Sequence, residues 1–104
     1  MTDARVVLIT APDAAAADRL AQGLVSEKLA ACVNVVPGVT SHYRWEGKVQ
    51  KDSELLLVVK TREAKLAELA AWVRARHPYT TPEIIALPIA GGDKEYLDWL
   101  AAAT

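Results

Sequence analysis

The side chains in this sequence best suited to hold a metal ion are Cys32, His42, His77 and Met1, together with scattered carboxylates. Copper(I) favours thiolate or thioether, whereas copper(II) and zinc favour imidazole or carboxylate, generally with several ligands converging. No two strong ligands lie at short spacing, so one subunit alone does not make a convincing site. Cys32 falls in an apolar stretch and reads as a small buried hydrophobe, the usual fate of a free cysteine. His42 falls on a hairpin arm and reads as an interface or surface residue. His77 ends a helix, where an imidazole either complements the negative end of the helix dipole or ligates metal. A second group, Lys60, Tyr79 and Glu83, offers a cation, a phenol and a carboxylate. These suit a small-molecule pocket at a subunit boundary; the alternative is an interface salt bridge from Lys60 to Glu83 or to a neighbouring subunit's acid.

The elements that must position these residues follow from hydrophobic pattern. Arg5–Thr10 is a β-branched run closed by Ala11-Pro12-Asp13, the profile of a buried strand. Asp13 then caps a helix through about Leu29, with Ala17, Leu20, Ala21, Leu24 and Lys28 at three- and four-residue steps. Gly23 inside it costs about 1 kcal/mol relative to alanine, which predicts close helix-to-sheet packing there. Ala31–Val36 is a second strand interrupted by Pro37-Gly38 and resumed from Val39 to Trp45, so a bulge or an edge is expected at the proline. Glu46-Gly47 supplies a tight turn into a third strand, Lys48–Lys60. Thr61 reads as the cap of a second helix, Arg62–Arg76, which His77-Pro78 terminates. Glu83–Ile89 is a fourth strand with Pro88 at an edge, and Asp93 caps a short helix carrying Tyr96, Leu97 and Leu100.

The order βαββαβ plus a C-terminal helix is the α+β, ferredoxin-like split βαβ arrangement, an antiparallel sheet with two helices on one face. Residues 1–104 make a single domain, large enough to bury roughly 65% of the unfolded chain's surface. The β2-β3 hairpin is out of scale with that domain. Its arms of about 12 residues reach ~40 Å at the rise of a strand, against ~34 Å for the diameter of a 100-residue globule. An isolated hairpin is marginal in water, and this one carries Tyr43 and Trp45 beside its turn, so both are expected at the interface of a homo-oligomer.

Composition narrows the function classes. A net charge of −1 provides no positive field for phosphate backbones or anionic lipid, so neither nucleic acid nor membrane is an expected partner. The longest apolar runs, such as Leu55–Val59, fall far short of the ~20 residues that span a bilayer. With one cysteine and no basic-then-apolar leader, a cytoplasmic protein is expected. Catalysis finds no support either. Ala11-Pro12-Asp13-Ala14 is no phosphate loop, no nucleophile-elbow motif is present, and Leu55–Val59 lacks the aromatics that an RNA-recognition sheet would stack on bases.

The set Cys32-Val33-Asn34, Val36-Pro37-Gly38-Val39, Ser41, Tyr43, Trp45-Glu46-Gly47-Lys48, Lys60-Thr61, His77-Pro78-Tyr79, Thr81-Pro82-Glu83 and Tyr96 with Trp99 closely resembles the CutA divalent-cation-tolerance family. The resemblance runs from Val6 to Trp99. It implies a ferredoxin-like subunit in a homotrimer with interlocked hairpins, an architecture shared with the PII signalling proteins, and a role in divalent-metal tolerance with copper binding. In members assigned a copper site the ligands are a cysteine near the end of strand one and a histidine pair before Pro-Tyr. Here Ile9 and Arg76-His77 occupy those places, leaving His77 to hold Cu²⁺ or another divalent cation weakly. A PII-like sensor of a small ligand in the inter-subunit cleft, and a structural trimer anchoring another protein, are the other functions this architecture implies.

Overall fold

The computed structural model describes residues 2–104. Four strands, β1 (Ala4–Ala11), β2 (Cys32–Trp45), β3 (Lys48–Arg62) and β4 (Ile84–Pro88), form one sheet in the order β2-β3-β1-β4, antiparallel throughout. The helices are α1 (Ala14–Ser26), α2 (Leu66–Arg76) and α3 (Lys94–Ala102), and a 3₁₀ turn at Glu63–Lys65 precedes α2. This is the expected split βαβ arrangement with a C-terminal helix.

The core forms because alternate strand residues face the apolar stripes of two helices. Val7 pairs with Val59 and Ile9 with Leu57, and this buried patch packs with Leu20 and Leu24 of α1 and Leu69 and Val73 of α2. Each such side chain contributes about 1.5–3 kcal/mol on burial. Ile9 is therefore fully enclosed. The other face of the sheet is covered only at one end, where Leu100 of α3 packs with Ala4 and Ala31. Val6, Leu8, Leu56 and Val58 are half-buried there, while Val36, Ile85 and Leu87 stand exposed, Ile85 at 52%.

Pro37 and Gly38 do produce a bulge: the β2-β3 register shifts between Val36 and Val39, with Gly38 at φ +77°. β2 is also an edge strand, so the proline removes no ladder donor from the sheet interior. At the tip, Glu46 and Gly47 both take positive φ, 51° and 77°, as a two-residue hairpin with the primed turn requires. The arms stretch the molecule to 44 Å along one axis against 25 and 24 Å along the others, which matches the predicted overhang.

Three local expectations are corrected. α1 ends at Ser26 rather than near Leu29, because Lys28 adopts the left-handed conformation (φ 58°). The N–H groups of Lys28 and Leu29 then bond the carbonyls of Val25 and Leu24, the paired bonds that close a helix in a Schellman motif. Thr61 caps no helix. It lies within β3, fully buried, and its hydroxyl donates to the Leu29 carbonyl at 2.7 Å. Gly23 does mark a close approach, but to α2 and not to the sheet: a β-carbon there would lie 2.3 Å from the Trp72 ring.

Candidate functional site

The end of β1, the outer half of the hairpin and the loop after α2 converge on one cleft. Beyond Ala11 β1 stops while β3 and β2 continue, so the hairpin projects past the sheet and the segment from His77 to Glu83 folds against its base. On the hairpin face, directly paired residues share a side, which places Val39 with Glu54, Ser41 with Asp52 and Tyr43 with Gln50. A cavity of about 460 Å³ is lined by Thr10, Ser41, Tyr43, Glu54, Tyr79 and Glu83, among others. A second, of about 300 Å³, shares Tyr43, Tyr79 and Thr81 with it and adds Trp45.

Glu54 is the buried charge of this cleft. Its side chain is in a residue only 7% exposed, and it accepts a hydrogen bond from the Tyr79 hydroxyl at 2.8 Å. Burial, followed by that bond, pushes the Tyr79 phenol well above its ordinary range. Tyr43 donates in the same way to Asp52, and that bond is the main cause of its raised pKa. The ion pairs among the described residues are Arg5–Glu63 and Lys94–Asp98; neither reaches the cleft. Glu54 and Glu83 line the cavity together, and neither has a cationic side chain of its own chain within ion-pair distance among the described residues.

His77 sits behind the cleft, 8% exposed. Its Nδ1 accepts the Tyr79 backbone N–H at 3.0 Å, so Nε2 is the protonated nitrogen and donates to the Thr10 carbonyl 2.7 Å away. Both ring nitrogens are engaged, and the ring clips the loop after α2 to the end of β1. His42, which the hairpin register pairs with Lys51, is exposed and borders the larger cavity. Cys32 is half-buried rather than enclosed, and it raises the Tyr96 pKa, second to burial. Met1 lies outside the described residues. Among those described, no three His, Cys, Asp or Glu side chains gather to hold a metal ion.

Tyr79 and Glu83 meet in the cleft as expected; Lys60 does not join them within one chain. It lies six residues along β3 from Glu54, about 20 Å at the strand rise, and its ammonium bonds Asn34 Oδ1 and the Val58 carbonyl. Tyr43 and Trp45 line the cavities and are 42% and 46% exposed. The sequence pattern does not single out Glu54, because it stands where β3 turns from polar to apolar. The available signal was a carboxylate directly before the buried run Leu55–Val59.

Residues 5–103 match the family model described as CutA1 divalent ion tolerance protein. The chain is 59% identical over 99 residues to a divalent-cation tolerance protein CutA of Thermus thermophilus, covering 95% of this chain and 96% of that one. It is 57% identical over 99 residues, 95% of its own length, to a protein of Oryza sativa named CutA 1, chloroplastic, and spans 56% of that protein. A solved structure of the divalent cation tolerance protein from Thermus thermophilus superimposes with a TM-score of 0.95 at 57% identity, covering 97% of this chain and 98% of that one.

Proposed function

Because the chain belongs to the CutA1 divalent ion tolerance family, we propose that it is a homotrimeric binding or regulatory protein of the divalent-metal response, acting in the cytoplasm and not as an enzyme. Two features support association with itself. The sheet face bearing Ile85 and Leu87 is apolar and open, and the hairpin presents Tyr43 and Trp45 well beyond the domain. Both features bury apolar area at about 25 cal/mol per Å² when a second copy covers them. No described helix is long and apolar enough to cross a membrane.

The observation that carries the site is Glu54: a buried carboxylate, held by one phenol, lining a cavity and without an ion-pair partner among the described residues. A divalent cation entering the cleft meets Glu54 and Glu83. It finds no three-ligand cluster among the described residues of one chain, so it draws ligands across a subunit boundary and is held weakly. Copper at His77 must first displace either the Tyr79 N–H or the Thr10 carbonyl, which weakens that site further. The two adjoining cavities, which share Tyr43, Tyr79 and Thr81, favour a second reading, a PII-like sensor of a small ligand in the inter-subunit cleft, with a neighbouring subunit's Lys60 as the cation it lacks. Calorimetric titration of the oligomer with Cu²⁺, Zn²⁺ and common small metabolites separates the two. Weak metal heats that disappear in Glu54→Gln support the first reading; a metabolite that binds while metals do not replaces it with the second.

A further inference from the structure

On the helix layer, α1 and α2 enclose a groove of about 370 Å³ lined by Arg19, Leu20, Trp72 and Arg76. Its floor is apolar, since Leu20 is 2% exposed. Arg76 lies over the Trp72 ring, 4.3 Å from its centroid, and donates to the Trp72 carbonyl at 3.0 Å. That anchoring holds the guanidinium in place and leaves its other N–H groups for a ligand. Neither Arg19 nor Arg76 has a carboxylate partner among the described residues. The ring can lie against α1 only because position 23 is glycine. The Trp72 indole nitrogen is itself buried and has no hydrogen-bond acceptor, the one such side-chain atom among the described residues, so its resonance reports on the ring that forms the groove wall. Two guanidiniums without counter-charges therefore meet around a groove of ligand size.

We infer that this groove binds a small oxyanion of charge near −2, a phosphoryl group or a dicarboxylate, between Arg19 and Arg76 beside the Trp72 indole. Planar guanidinium forks bind carboxylate and phosphate oxygens in pairs, and the indole ring and Leu20 accept whatever apolar body the anion carries. The site is on the helix layer and does not use the Glu54 cleft, so it stands whether or not the cleft binds a cation.

The test is an amide and indole ¹H–¹⁵N correlation titration of the full chain at pH 7.5 with inorganic phosphate and, separately, succinate, against sodium chloride at matched ionic strength. The Trp72 indole resonance, assigned with Trp72→Phe, is expected to move saturably with one or both anions, with a dissociation constant of about 1 mM or lower, and not with chloride. Saturation by phosphate alone identifies a phosphoryl ligand, by succinate alone a dicarboxylate. Arg19→Gln with Arg76→Gln is expected to weaken binding at least tenfold while the Trp45 and Trp99 indole resonances stay in place. A wild-type protein whose Trp72 resonance responds to neither anion, or responds equally to chloride, overturns the assignment without reference to any variant.

Discussion

The Tyr79 hydroxyl lies 2.8 Å from Glu54 Oε2, so a phenol in the loop after α2 is fastened to a buried carboxylate on β3, twenty-five residues earlier in the chain. Through its backbone N–H the same tyrosine holds His77, which in turn grips the end of β1. One residue thus joins the cleft to the histidine behind it. Replacing Tyr79 with phenylalanine removes the donor and leaves the buried carboxylate short of one bond, a loss of about 1–3 kcal/mol. Chemical denaturation measures it; an unchanged midpoint would mean that the bond contributes nothing.

The pH dependence of that bond has a definite sign. Burial and Glu54 raise the Tyr79 pKa above the ordinary value of 10.0, so its contribution is complete below about pH 10 and is lost as pH rises through the higher folded-state value. Wild type is expected to lose stability in strong alkali more steeply than Tyr79→Phe. Parallel alkaline profiles for the two proteins would contradict the assignment.

Gly23→Ala adds a methyl group whose carbon would sit 2.3 Å from the Trp72 ring. The gain in helix propensity is about 1 kcal/mol, and overpacking costs typically 1–3 kcal/mol. With the ring pinned by Arg76, the net effect is destabilising. In a Trp72→Ala background the same substitution is expected to stabilise, and a double-mutant cycle reads the difference.

Much of the fold was legible because its signals are local: the β-branched runs, the caps at Asp13 and Asp93, whose side chains accept from the N–H groups of Ala16 and Tyr96, and the bulge at Pro37-Gly38. What misled was ambiguity in single residues. Thr61 suits a cap and a strand equally, and only the Leu29 carbonyl across the sheet decides between them. Lys28 ends α1 in a conformation normally advertised by glycine. The contact of Gly23 with Trp72 spans nearly half the chain, beyond any periodic pattern. At the site, Tyr79 and Glu83 were legible as chemistry next to a proline. Glu54 was not, and the length of β3 that predicted the overhang also carries Lys60 away from the cleft.

Trimerisation is expected to show as a light-scattering mass near three subunits at micromolar concentration, with an unfolding midpoint that rises with protein concentration. Trp45→Asp places a charge in an apolar contact and is expected to dissociate or destabilise the assembly by several kcal/mol. A monodisperse monomer with a concentration-independent midpoint would remove the basis for an inter-subunit site.

The most direct test of the account as a whole is a copper titration of the oligomer at pH 7.5, comparing wild type, His77→Ala and Glu54→Gln. Weak Cu²⁺ binding, reduced in both variants because Tyr79 couples the two residues, is the predicted result. Tight binding that survives both substitutions would contradict it and move the site to Cys32 or His42.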